Sequence, residues 1–304
     1  MMTVRISRKQ SAAADNLAAA AGVILMTDLA LSLGDALIKL TSGTIAVWQL
    51  FLLRSLMALP LLVPAVLASS GATLRPRALA WTTLRSLMLV LMWLAYYAAL
   101  PHLQLSVAAV SYYTLPVFIT LFSALFVGER VGPIGWMAVA LGLSGVLLIL
   151  RPDAAAFNAY ALLPLLSAVL YALAMILTRT KCREEHPLTL SLALNLAFVV
   201  VGLGGVGVFQ ENSGEGGYLT TGWLPLGAAE IGTLVVLSAA MIIGSLGAAF
   251  SYQRAPSNVI GTLDFSYVGF AAIWGLLLFQ EVPSLITLCG MALIVGAGIL
   301  ALRR

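Results

Sequence analysis

Apolar runs of 19 to 26 residues follow one another along almost the whole chain, interrupted by short stretches where Pro, Gly or charge intervenes. They cover residues 17–40, 44–68, 78–99, 103–127, 132–150, 159–178, 187–209, 226–251, 256–280 and 283–302. An α-helix needs about 20 apolar residues to cross a hydrocarbon core, so the pattern predicts ten transmembrane helices. The longest connections, 69–77, 179–186 and 210–225, are too short to fold as soluble domains. Arg5, Arg8 and Lys9 ahead of Leu17 resemble the start of a secretory signal, but the run continues past Asp28 to Leu40, longer than a signal core. It reads as the first membrane helix, preceded by an N-terminal tail over 1–16.

Composition agrees. Hydrophobic residues make up 61% and charged residues 9%, with a mean hydropathy of +1.03. The 16 basic and 12 acidic residues give 28 charges in 304 residues, where a soluble domain of this length carries about 76. A water-soluble globular protein is excluded. The net charge of +4 hints at nucleic acid, yet so few charges cannot build a phosphate-binding stripe. Their placement is the signal. With the N-terminus inside, Arg5, Arg8, Lys9, Arg75, Arg77, Arg130, Arg179, Lys181, Arg183, Arg254, Arg303 and Arg304 fall in cytoplasmic segments, against Arg151 outside. The positive-inside rule then places both termini in the cytoplasm, in a multi-pass protein of the plasma membrane, a bacterial inner membrane. Cys182 and Cys289 are the only cysteines, and neither His102 nor His186 has a ligand at metal spacing. No disulfide framework, metal or cofactor is expected.

Residues 103–131 align without gaps on 255–283 at an offset of 152. Val107 then meets Val259, Tyr112 meets Asp264, Phe118 meets Phe270 and Glu129 meets Glu281. Each half holds five spans, and because five is odd the second copy enters the bilayer from the opposite side. The expected fold is an all-α integral membrane protein built as a 5+5 inverted repeat, with halves at 17–150 and 159–302. Such repeats build alternating-access carriers.

The helix-end runs VGERVG (127–132) and FQEVP (279–283), with the glycine-rich fifth and tenth spans, resemble the drug/metabolite transporter superfamily with two EamA-type repeats. The resemblance covers Leu17 to Leu302 and implies carriage of a small organic metabolite. The runs GDALIKL (34–40), WQLFLLR (48–54) and LRSL (84–87) further resemble the branch that includes bacterial S-adenosylmethionine uptake carriers. Asp35, Lys39, Arg54 and Arg85 are the matching positions, whereas LDFSY (263–267) departs from that branch.

Six charges remain in the inner parts of the spans: Asp28, Asp35, Lys39, Arg54, Arg85 and Asp264. Such residues face a polar cavity or one another, because even a lone arginine there costs at least ~2.5 kcal/mol. Asp28, Ser32, Asp35 and Lys39 share one face of the first helix at 100° per residue. Two readings stay open for each set. Asp35 and Lys39 form an i, i+4 pair, or they gate the site. Arg54 and Arg85 pair with a helix-one aspartate, or they grip a substrate carboxylate or phosphate. Asp28 and Asp264 suit a protonatable coupling site or a substrate ammonium. Glu230 reads as a helix-start acid.

Trp93, Tyr96, Tyr97, Tyr112, Tyr113, Tyr171, Phe265, Tyr267 and Trp274 are candidate cavity walls, since mid-span hydroxyls need partners away from lipid. Trp48, Trp81, Trp136, Tyr218 and Trp223 fit an interfacial belt. Gly142, Gly145, Gly202, Gly205, Gly244 and Gly247 fit close helix seams.

No Walker-type phosphate loop, HExxH motif or Ser–His pairing is present, which leaves no basis for an enzyme. The expectation is a secondary carrier of a zwitterionic amino acid or derivative. Proton coupling and exchange are both open, with a monomer favoured over a homodimer. S-adenosylmethionine or a related nucleoside metabolite is the alternative cargo, and organic cations or drugs the next.

Overall fold

The computed structural model describes residues 2–128, 132–150, 158–210, 218–256, 259–260, 263–264, 266–282 and 284–302, with residues 2–16 as backbone only. Glu129, Arg130, Arg151, Phe265, Pro283, Arg303 and Arg304, and the side chains of Arg5, Arg8 and Lys9, lie outside the described set.

The long helices are α1 (Met2–Thr41), α2 (Val47–Ala68), α3 (Leu79–Ala99), α6 (Pro133–Leu150), α7 (Leu162–Thr180), α8 (Pro187–Val208), α9 (Ala228–Arg254) and α11 (Leu285–Leu302). Three shorter ones, α4 (Leu105–Tyr112), α5 (Leu115–Phe122) and α10 (Ser266–Phe279), complete the helical set, and no strand occurs among the described residues. Every apolar run marked in the sequence carries helix. Among the described residues, seven stretches are long and apolar enough to cross a membrane: Leu17–Thr41, Val47–Ala68, Leu79–His102, Val107–Phe126, Ala159–Thr180, Pro187–Val208 and Ala228–Arg254. Pro133–Gly145, Ser266–Phe279 and Leu285–Ala297 are apolar but shorter.

Two runs are interrupted where the sequence suggests continuous helix. The 103–127 run breaks at Tyr113 and Thr114, and α5 restarts with Pro116 in its first turn, where the missing N–H costs nothing. Asp264 sits in a turn, and α10 starts at Ser266. Thr114 and Ser266 are 152 residues apart, the offset of the internal repeat.

Packing follows the small residues. Helix α1 lies against α9 and α10, while α7 lies against α3, α4 and α5; α2 packs on α8 and α6 on α11. On the expected division into 17–150 and 159–302, exchanging the halves would turn the α1–α9 contact into α7–α3 and map α2–α8 and α6–α11 onto themselves. A Cβ added at Gly202 would come 2.8 Å from the backbone N of Leu52, so α2 and α8 cross nearly backbone to backbone. At the α1–α9 crossing, Gly244 and Gly247 accommodate Leu31 and Thr27.

Connections are tied down by hydrogen bonds. The Trp48 indole donates to Leu219 O at 2.7 Å and the Gln49 amide to Leu224 O at 2.8 Å. Glu185 is buried and accepts the Ala78 N–H at 2.6 Å. His186 Nδ1 accepts from Leu188 N–H at 3.2 Å and caps α8, while His102 stacks on Tyr160 with ring centres 3.8 Å apart. In the loop after α7, burial pushes the Cys182 thiol up from its ordinary pKa, which suits a protonated packing group. Glu230 accepts the Gly227 N–H at 3.0 Å, a helix-start acid as its position suggested.

Candidate functional site

Both helix breaks open onto one narrow cavity among the central helices. Its walls are Asp28, Leu31 and Asp35 from α1, Met92, Trp93 and Tyr96 from α3, and Tyr112, Tyr113 and Leu115 around the first break. Tyr171 from α7, and Asp264 and Tyr267 around the second break, close it. Asp28, Asp35 and Asp264 are each no more than 3% exposed. The cavity is narrow, about 20 Å³, room for about one water. No Lys or Arg lines it.

Each carboxylate is held by a hydroxyl from the second half of the chain. Ser266 Oγ donates to Asp28 Oδ2 at 2.6 Å, Tyr252 OH donates to Asp264 Oδ2 at 2.5 Å, and Tyr267 OH donates to Asp35 Oδ2. The Tyr267 and Tyr96 hydroxyls lie 3.1 Å apart, extending the chain from Asp35 across to α3. Asp264 Oδ1 is buried without a partner. A desolvated carboxylate oxygen with free lone pairs is costly and is poised for a proton or a donor group. Ring contacts make the remainder of the wall. Tyr113 stacks on Tyr267 with centres 5.2 Å apart, and Tyr112 approaches Tyr96 at 5.4 Å and Tyr171 at 5.9 Å.

A second chamber shares Leu31, Met92, Trp93 and Tyr171 with the first and ends on Arg85, Leu194 and Met241. Arg85 Nε donates to Thr178 Oγ1 at 2.5 Å, while its Nη1 is buried and unpaired. Acidic groups line one chamber and a guanidinium the other, with four wall residues in common.

Several expected pairings are replaced. Asp35 and Lys39 do not pair: Lys39 Nζ binds Glu281 Oε1 at 2.5 Å and Leu103 O at 2.8 Å, the one ion pair among the described residues. The backbone carries the α1 terminus to the start of α4 and the end of α10, and that proximity outcompetes the local i, i+4 partner. Arg54 pairs with no aspartate. It is 1% exposed, donates Nη1 to Tyr97 OH at 3.0 Å, and lies 4.6 Å from the Phe198 ring centre, with Phe51 at 5.6 Å. Its Nε and Nη2 are unpaired. Arg54, Tyr97, Lys39 and Trp274 stand outside the cavity lining. Trp274 Nε1 donates instead to Ser32 Oγ at 3.2 Å, on the aspartate face of α1.

Residues 19–151 match the EamA-like transporter family. Over that part the chain is similar to EamA-like transporters, and the curated relatives that align with it are named as transporters. It is 26% identical over 286 residues to the pseudopaline exporter CntI of Pseudomonas aeruginosa, covering 93% of this chain and 96% of that protein. It is 31% identical over 216 residues to a riboflavin transporter of Rhizobium johnstonii, covering 70% of this chain and 65% of the other. A solved crystal structure superposes with a TM-score of 0.69 at 19% identity, covering 95% of this chain and 96% of that one. At that identity the likeness establishes the fold alone.

Tyr252 and Ser266 are the polar partners that sequence reasoning missed. Ser266 lies inside the 256–280 run, and Tyr252 stands one residue past the end of the 226–251 run, outside the pattern that singled out the other tyrosines. Glu281 was legible only as part of the helix-end motif, and Leu31, Met92 and Leu115 carry no signal that separates them from lipid-facing residues.

Proposed function

We propose that the protein is a secondary carrier moving a zwitterionic amino acid or amino-acid derivative by alternating access. The observation that carries this reading is the shared wall of the two chambers. Asp28, Asp35 and Asp264 stand at one end, Arg85 with a free N–H at the other, and Trp93 and Tyr171 belong to both. An ammonium group suits the acidic end, and a carboxylate or phosphate suits a guanidinium. Binding across both ends would compensate buried charges on each side, whereas a simple ion compensates only one.

The architecture behind this mechanism is a ten-helix inverted repeat with both termini cytoplasmic. Matching helix breaks 152 residues apart, and packing that survives exchange of the halves, support it. Discontinuous helices at a repeat interface are where such carriers bind their cargo. Rocking of one half against the other would alternate access, with Asp28 or Asp264 exchanging a proton or a partner in each cycle.

A second reading follows from the aromatic walls. Tyr112, Tyr113, Tyr171, Tyr267 and Trp93 form faces on which a flat ring stacks, and one relative is a riboflavin transporter. S-adenosylmethionine, carrying both a zwitterion and a purine, would satisfy both readings.

The test is a thermal-stability screen of the purified protein followed by flux of labelled hits into proteoliposomes. The panel holds amino acids and their derivatives, S-adenosylmethionine, riboflavin and pseudopaline. Stabilisation and flux by a solute bearing both an ammonium and an anionic group is expected. A response confined to simple monoanions or lipophilic monocations would overturn the proposal.

A further inference from the structure

We propose that a groove between α3 and α8 is a site for one anionic phospholipid, its acyl chain in the groove and its phosphate on Arg75. The groove holds about 370 Å³, more than either central chamber, and shares no lining residue with them. It is therefore no extension of the cargo site. Leu79, Leu87, Leu196 and Val200 line it and are 43–69% exposed, an apolar surface turned toward the bilayer.

The charge stands at one end. Arg75 lines the mouth, in the connection between α2 and α3, with no carboxylate within 4.0 Å among the described residues. The backbone beneath it is fixed. Thr73 N–H donates to Thr189 Oγ1 at 3.0 Å, the Thr189 hydroxyl donates back to Thr73 O at 2.9 Å, and Thr73 Oγ1 donates to Arg75 O at 2.8 Å. The arginine is thereby pinned to the α8 side of the groove. Below it, Ser86 lines the groove with a buried hydroxyl that has no partner. Apolar walls and a cation on a fixed backbone at the mouth match a lipid anion from chain to headgroup.

Native mass spectrometry of the detergent-purified protein tests this with phosphatidylglycerol and phosphatidylcholine of identical acyl chains. One arginine near a lipid anion should give a preference of about fivefold for phosphatidylglycerol. Arg75→Gln, an exposed site, should abolish that preference. Ala197→Trp, or Ala193→Phe should the first fold poorly, should fill the groove and lower occupancy by both lipids. Equal retention of the two lipids by the parent protein, a preference that survives Arg75→Gln, or occupancy unchanged in a folded groove-filling variant would each overturn the proposal.

Discussion

Lys39 Nζ lies 2.5 Å from Glu281 Oε1, joining residues 242 positions apart in the chain. Glu281 Oε2 also accepts the Leu105 N–H at 2.9 Å, so one carboxylate fastens the ends of α1 and α10 to the start of α4. Both breaks in the helices lie beyond this knot, and loosening it should open the cavity at that end. With both native cysteines replaced by Ser and a reporter Cys at Leu115, Glu281→Gln should speed labelling by an impermeant maleimide several-fold. It should also cost on the order of 2 kcal/mol, less than a fully buried pair because both side chains are 14–15% exposed. An unchanged labelling rate would remove the latch role.

Asp28 and Asp264 accept from Ser266 and Tyr252, and an asparagine oxygen can accept the same bonds. Asp28→Asn and Asp264→Asn therefore preserve local geometry while removing the titrating group. If either carboxylate couples cargo to protons, one of these variants should cut flux driven by a pH gradient by more than about tenfold, equivalent to ~1.4 kcal/mol. Counterflow of labelled against unlabelled solute should persist. Intact pH-driven flux in both variants would eliminate proton coupling through these residues.

The acidic end of the site was legible because charge inside an apolar run has so few affordable explanations. Asp28, Asp35 and Asp264 line the cavity, as do the mid-span tyrosines other than Tyr97, and the seven-residue spacing on α1 put two of the aspartates on one face. Partner identity was not legible. Lys39 has an aspartate four residues away, yet tertiary packing supplies Glu281. Arg54 demands compensation, but Phe51 and Phe198 look no different in sequence from phenylalanines facing lipid, so an aromatic cage could not be separated from a salt bridge. The break before α5 was equally hidden, since Pro116 is tolerated within a continuous membrane helix.

Gly202 and Gly204 provide an internal control for the seam between α2 and α8. A Cβ at Gly202 would lie 2.8 Å from Leu52 N and 3.0 Å from Trp48 O, backbone atoms that cannot rotate away, whereas nothing lies within 4 Å of the Cβ at Gly204. Gly202→Ala should destabilise the protein by about 1–3 kcal/mol through forced separation of the helices. Gly204→Ala should melt like the parent. Equal melting of the two variants would show that the crossing relaxes without cost.

Arg54 separates stability from function. It is buried with two unpaired nitrogens, each such donor costing about 1–3 kcal/mol, against cation–π contacts contributing up to ~2 kcal/mol. Methionine retains length and apolar packing between Phe51 and Phe198 while removing the unsatisfied charge. Arg54→Met should therefore leave thermal stability unchanged or raise it by ~1–2 kcal/mol. If the cation is retained for transport, flux should fall in the same variant, and Arg54→Lys should restore only part of it because an ammonium cannot donate to Tyr97 and stack on Phe198 in the same geometry. Lower stability with normal flux would instead assign Arg54 to the scaffold. The predicted opposite movement of melting temperature and flux is what a charge kept for function at the expense of packing requires.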